Sequence, residues 1–334
     1  MKKDKSQIPQ NIEFQNTDIK STRHFVTGGA GFIGSHLAGR LLKEGNNVTI
    51  YDNLVTGKRQ WIENYIGTKG FQFIQADLLD FEVLKKAMEG HDIIWHLGAN
   101  TDNVKGNQIT DLDLKNCTTA TYNVLEAMKQ NSISELLFSS SATVYGDTPP
   151  IALPEIYGPL LPICLYGAGK LACEGLISAY CHLFGFRACI FRFGNVVGGK
   201  MWHGVIYDFI EKLKKNPCEL EILGDGNQEK NYFLVEDCIQ GMLCAFHKSH
   251  KQCDVFNLGN KTNINVTTIA KIVVEEMGLT NVRFKYTGGE RGWPGDVPIV
   301  HFNLSKIGKL GWAPRYSSTD AIRLAARRLL GKEG

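Results

Sequence analysis

The chain has little of what would mark a secreted, metal-centred or membrane protein. Its nine cysteines form no Cys-x-x-Cys pair and keep no Cys/His spacing suited to zinc. An odd number also argues against a complete disulfide set, and Cys173, Cys181 and Cys244 lie in apolar helical runs. Reduced thiols in a cytoplasmic setting are the expectation. No apolar run approaches the roughly 18 residues a spanning helix needs, so no membrane association is expected. No large excess of one charge exists either: the formal net charge is +3, too small to imply nucleic acid. The start of the chain is polar, with Asp4, Glu13 and Asp18 where a mitochondrial presequence avoids acids. It reads as a loose tail over 1–21, neither signal peptide nor anchor.

What is present is an ordinary globular composition, 43% hydrophobic and 21% charged, in a chain of 334 residues that can bury a large core. Apolar strands alternate with helical patterns. Strands are expected at His24–Thr27, Asn47–Tyr51, Phe71–Gln75, Asp92–Leu97, Glu135–Ser139 and Arg187–Phe193. Helices are expected at Phe32–Lys43, Phe81–Met88, Asp111–Gln130 and Cys164–Phe184. That alternation predicts an α/β fold, a doubly wound parallel sheet covered on both faces. Past Gly194 the rhythm loosens. Helices are expected at Val205–Lys215, Val235–His247 and Val266–Met277, strands at Glu219–Leu223 and Val255–Leu258, and a Gly/Pro-rich loop at Gly288–Pro298. This half reads as a smaller α/β lobe, giving a division into 22–193 and 194–334 whose segments can interleave.

Gly28, Gly29, Gly31 and Gly34 follow the first strand and open a helix, in a Gly-x-Gly-x-x-Gly pattern. Such a turn lets backbone approach a pyrophosphate at a helix N-terminus, while the last glycine lets helix pack on sheet. Asp52 ends the second strand, where a carboxylate can bind ribose hydroxyls and would repel a 2′-phosphate. The expected cofactor is therefore NAD, although Lys58 and Arg59 keep NADP open. Asp77, just past the third strand, is either an adenine contact or a plain strand-end acid.

Tyr166 and Lys170 stand one helical turn apart and share a face. A phenol acting as a base near neutrality needs its pKa lowered by roughly three units, or about 4 kcal/mol. A neighbouring ammonium works in that direction. Ser141, at the end of the fifth strand, supplies a hydroxyl for the same substrate oxygen. Together with a dinucleotide site, these groups make a redox centre.

These landmarks, with Asp77-Leu78, His96 to Asn100, Ser139 to Gly146, Gly194 to Gly198, Gly224-Asp225-Gly226 and Arg291 to Val297, resemble the extended short-chain dehydrogenase/reductases, within them the UDP-glucose 4-epimerase group. The resemblance implies a Rossmann domain over 22–193 and a nucleotide-sugar-binding domain over 194–334. It implies a homodimer built on the helices bearing Asn116 and Tyr166. It also implies an isomerase working through a transient 4-keto sugar, with Tyr166 as base, Lys170 holding the nicotinamide ribose, and Ser141 and Thr143 on the 4-oxygen.

By the same likeness, Gly28, Gly31, Phe32, Ile33, Gly34, Asp52, Asn53, Asp77, Leu78, Leu97, Gly98, Ala99 and Asn116 would line the cofactor. Asn195, Lys230, Arg291 and Asp296 would hold the UDP moiety, with Val205 and Ile206 near the uracil. Dehydratases and decarboxylases of the family carry acids after the serine, whereas this chain has Ala142-Thr143. Two departures stand out. Lys230-Asn231-Tyr232 replaces the usual Arg-Asp-Tyr, and Arg291 precedes Asp296 by an unusual distance. Either cation can instead be a solvated surface charge. His96 reads as structural, Trp202 and His203 border the uridine loop or simply pack the lobes, and Asn116 orders the site or is an ordinary helix polar residue. Val300 is small enough to leave room beside the sugar C2 group. An N-acetylhexosamine or hexuronic acid substrate, or a non-catalytic nucleotide-binding scaffold, therefore remain alternatives.

Overall fold

The computed structural model describes residues 21–332; the tail expected over 1–21 lies, except for Ser21, outside them. The first half runs β1 (Arg23–Thr27), α1 (Phe32–Lys43), β2 (Asn47–Asp52), β3 (Phe71–Gln75), α2 (Phe81–Met88), β4 (Ile93–His96) and α3 (Asn103–Gln108). A π-helical segment, Leu114–Thr119, then leads into α4 (Ala120–Gln130), β5 (Glu135–Ser141), β6 (Ala152–Leu153), α5 (Leu165–Phe184) and β7 (Arg187–Phe193).

The second half contributes β8 (Asn195–Val197), α6 (Val205–Lys215), β9 (Glu219–Ile222), β10 (Glu229–Lys230), β11 (Tyr232–Leu234) and α7 (Val235–Lys248). It continues with β12 (Cys253–Leu258), β13 (Ile264–Asn265), α8 (Val266–Glu276), β14 (Arg283–Tyr286), β15 (His301–Phe302), α9 (Ser305–Lys309) and α10 (Ser318–Leu329).

Seven strands form one all-parallel sheet in the order β12-β7-β5-β4-β1-β2-β3. Its strands are apolar on both sides because helices cover both. Val26, Ile50 and Trp95 pack towards α1 and α7, whereas Phe25, Ile94 and Phe138 pack towards α2, α4 and α5. Strand order reverses direction between β1 and β4, so a crevice opens at their carboxyl ends, the place where doubly wound sheets bind ligands. A third core, formed by α6, α8 and α10, belongs to the second half.

The halves exchange strands. β12 pairs with β7 in the main sheet, and β6 pairs with β15. Two differences from the periodicity have physical causes. The helix expected over Asp111–Gln130 is not a single α-helix. Asn116 Nδ2 donates to Leu112 O at 3.1 Å, taking the carbonyl that Asn116 N would use in an α-helix, and the chain widens into the π segment. Helix α10 was not expected, and Ser317 caps it by accepting from Asp320 N.

Candidate active site

The glycine turn is built by close approach. Gly28 adopts φ +64°, and a Cβ there would stand 2.7 Å from Gly98 N. A Cβ on Gly34 would stand 2.4 Å from Gly28 O, so no other residue lets α1 start so near the turn. Gly31 caps α1 without a side-chain bond, and the first turn holds no acid. Its amides are thus free for an anion. Asp52 accepts from Ala30 N through Oδ2 (3.0 Å) and from Leu54 N through Oδ1 (2.8 Å), which fixes it beside the turn. Burial raises its pKa while these two amides oppose the rise.

Asn53 Nδ2 donates to Asp77 Oδ2 at 2.8 Å, and Leu79 N to Asp77 Oδ1 at 2.9 Å, closing the far edge of the crevice beside Leu78. Leu97, Gly98 and Ala99 leave β4 across the turn: Leu97 N reaches Thr27 O, and Gly98 N reaches Thr27 Oγ1. Phe32 and Ile33 form the first turn of α1 and are partly buried against the core. The cradle of backbone amides, with a single buried acid where ribose hydroxyls would fall, fits a dinucleotide. Lys58 lies over Trp61 and Trp202, and Arg59 lies over Phe73 and faces Glu63. Both cations have aromatic partners of their own.

At the carboxyl end of β5, Ser141 Oγ accepts from Thr143 N (3.2 Å) and Thr143 Oγ1 (3.0 Å). The serine proton is therefore left to donate elsewhere. Cys164 caps α5, and a Cβ at Gly167 would meet Thr143 O at 2.7 Å. That glycine lets the first turn of α5, with Tyr166, lie directly against the serine loop.

Lys170 is 2% exposed, donates to Ser139 O at 2.6 Å, and has Nζ 5.7 Å from the Tyr166 ring centre. Burial raises the Tyr166 pKa and Lys170 pulls it down, with a net rise. Burial disfavours the Lys170 ammonium, but Tyr166, Cys117, Cys173 and Asp113 more than offset this. His96 sits between Thr27 Oγ1 (2.7 Å) and Thr121 Oγ1 (3.0 Å) with no exposure, a structural position.

Two acids here, Asp113 and Asp147, have no counterpart among the residues singled out from the sequence. Asp113 is 2% exposed, accepts from Asn100 Nδ2 at 2.9 Å, and leaves Oδ2, beneath Gly106, with no hydrogen-bond partner among the described residues. The start of the π segment carries it to the face of α5 bearing Lys170. Asp147 is the second, paired with Arg291. Only tertiary proximity identifies them.

The second half brings Lys230, Arg291 and Asp296 together: Lys230 Nζ bonds Asp296 Oδ1, and Arg291 Nη1 bonds Asp296 O at 2.5 Å. The loop between Arg291 and Asp296 folds back, so the long spacing still places the guanidinium beside Asp296. Asn195 is exposed and donates to Asn231 O. Val205 opens α6 and Ile206 is fully buried in that lobe's core. Asn116 stays in the π segment, bonded to Leu112 O. Trp202 packs edge-on against His203. Val300 is buried, held through its carbonyl by Asn263 Nδ2.

The chain and its fold resemble known proteins. A family model described as the NAD dependent epimerase/dehydratase family matches residues 24–259. A Methanocaldococcus jannaschii protein, named provisionally as a UDP-glucose 4-epimerase, is 31% identical over 89% of this chain and 95% of its own. A crystal structure of a UDP-galactose 4-epimerase superposes with a TM-score of 0.83 at 35% identity, covering 94% of this chain and 100% of that one. The UDP-glucuronic acid 4-epimerase of Bacillus cereus, crystallised with UDP-glucuronic acid and NAD, superposes at 0.84 with 26% identity, covering 93% and 100%.

Proposed function

The chain belongs to the NAD-dependent epimerase/dehydratase family, and from that premise we propose that it is a nucleotide-sugar 4-epimerase, interconverting UDP-glucose and UDP-galactose. NAD is its cofactor, and when bound supplies a reversible hydride acceptor. Tyr166 Oη takes the proton of the sugar 4-hydroxyl and later returns it. Lys170 holds the phenol towards ionisation and anchors the nicotinamide ribose. Ser141 Oγ, with its proton free, donates to the 4-oxygen, and Thr143 holds that serine in place.

Gly28, Gly31 and Gly34 seat the pyrophosphate, Asp52 and Asn53 the adenine-side ribose, and Asp77 the adenine edge. Phe32, Ile33, Leu78, Leu97, Gly98, Ala99 and Asn116 would complete the cofactor's walls. Asn195, Val205, Lys230, Arg291 and Asp296 would grip the UDP moiety, in a domain taken as 194–334 against a cofactor domain of 22–193. The observation that carries the choice of epimerisation is the pairing of Tyr166 and Lys170 with Ser141 beside Ala142-Thr143, where no second acid stands to remove water or activate a carboxylate.

A second reading, an N-acetylhexosamine substrate, draws on the small Val300 near the expected C2 group. We also place the protein in the cytoplasm, consistent with nine free thiols and with no helix among the described residues able to cross a membrane. It would act as a homodimer through α4 and α5, whose Tyr122 and Leu183 are 47% and 73% exposed. Sedimentation at a monomer's mass would refute the dimer. The test of function is incubation with NAD and UDP-glucose, UDP-galactose, their N-acetyl analogues and UDP-glucuronate. Inversion at C4 is expected for the first pair, loss of water or carbon dioxide would exclude epimerisation, and no product from any would favour a scaffold.

A further inference from the structure

Arg291 reaches across the cleft. Its Nη1 and Nη2 bond Asp147 Oδ1 and Oδ2 at 3.1 and 2.6 Å, a two-pronged pair, while Nη1 also bonds Asp296 O. Asp147 belongs to the loop that leaves the Ser141 strand, four residues beyond Thr143. Its place is rigid: Gly146 bridges to Leu161 with φ +70°, and a Cβ there would stand 1.8 Å from Leu161 O. The arginine's loop is equally pinned, since Gly295 abuts Cys164 and Ile163 at the start of α5, and Asn107 Nδ2 donates to Pro294 O. Two fixed loops from opposite sides of the cleft therefore hold a carboxylate in the fork of a guanidinium. A phosphate presents its oxygens to arginine in the same planar, two-pronged manner.

We propose that Asp147 is a stand-in anion for the nucleotide diphosphate, holding the Arg291 fork in place until the diphosphate displaces it. The inference rests on the reading that Arg291 meets the diphosphate. A carboxylate carries one charge and a diphosphate at least two, so the ligand wins the exchange. Because both partners are substantially exposed, at 38% and 48%, the pair is weak and readily broken. The displaced contact still lowers apparent affinity by the fraction of molecules in which it is formed. Asp147 is thus a positioning residue, acting through Arg291.

The test is a double-mutant cycle read by calorimetric titration of the full-length, NAD-loaded protein with UDP. Asp147→Asn is expected to tighten UDP binding by about two- to fivefold, with Asp147→Ser behaving alike. Arg291→Gln is expected to loosen binding, and adding Asp147→Asn to it should then change nothing. Unchanged or weaker binding in Asp147→Asn overturns the inference. So does equal tightening in the Arg291→Gln background, which would mark a general field effect. Should Arg291→Gln itself bind UDP as tightly as the parent, the diphosphate reading falls; a loosened Arg291→Gln with an unaltered Asp147→Asn sinks this inference alone.

Discussion

At the scale of single residues, the chemistry turns on opposed influences at one phenol. Burial holds Tyr166 protonated and the Lys170 ammonium opposes it, so activity should rise with pH along an acid limb set by that phenol. Lys170→Met keeps the buried volume but removes the charge. It should lower kcat by at least about a hundredfold and move the acid limb to higher pH by about a unit or more. A pH–rate profile with an unmoved limb would assign the lysine to ribose binding alone. Tyr166→Phe should abolish turnover while NAD still binds, checked by calorimetric titration with NAD. These residues were legible in the sequence because the i, i+4 spacing fixes their shared face whatever surrounds the helix. Asp113 and Asp147 were not, because their partners lie 13 and 144 residues away and no local pattern announces them.

At the scale of elements, the glycine turn and α1 act as one device. A Cβ on Gly34 would drive into the Gly28 carbonyl, so Gly34→Val must push α1 off the turn and spoil the amide cradle. NAD affinity should fall by at least about a hundredfold, and the melting temperature by several degrees, with about 2–4 °C expected per kcal/mol. Thermal unfolding with and without NAD measures both, and a variant that NAD still stabilises fully would refute the cradle.

The same device shows why sheet elements were readable. β1, β2 and β7 are buried almost end to end, a pattern that cover on both faces imposes, whereas the edge strand β3, Phe-Gln-Phe-Ile-Gln, leaves its glutamines exposed. The pairs β8–β11, β10–β13 and β6–β15 involve two or three residues each and exist only because distant segments meet. The π segment was hidden because i→i+5 bonding has no periodic signature, and one side chain, Asn116, tips the balance. Helix α10 did leave a trace: Ser317 with Asp320 is a capping pair just ahead of an amphipathic run.

At the scale of the molecule, the exchanged strands tie both halves into one core, and that core holds neutral imidazoles. Burial lowers the His24 pKa to about 4 and the His96 pKa to about 3, with Lys170 adding to the latter. Thr27 Oγ1 accepts from Gly98 N and pairs with His96 Nδ1, while His96 Nε2 pairs with Thr121 Oγ1; the neutral ring donates through one nitrogen and accepts through the other. Protonation would make both ring nitrogens donors and reorganise that chain beside the glycine turn. A folded pKa below the unfolded one means stability is complete above about 6.5 and drains as pH falls towards the folded values. For His24 the depression corresponds to roughly 3 kcal/mol, most of it lost between pH 6.5 and 4.

The urea midpoint should therefore be flat from pH 8 to 7 and drop steadily below 6.5, before most carboxylates titrate. NAD affinity should hold over the same range, because His96, with a pKa lowered to about 3, stays neutral in the folded protein and leaves the Thr27–Gly98 contact of the cradle intact. A midpoint at pH 5 equal to that at pH 7.5 would show that these imidazoles keep water or an acidic partner. The stability of the cofactor site would then be independent of the core beneath it.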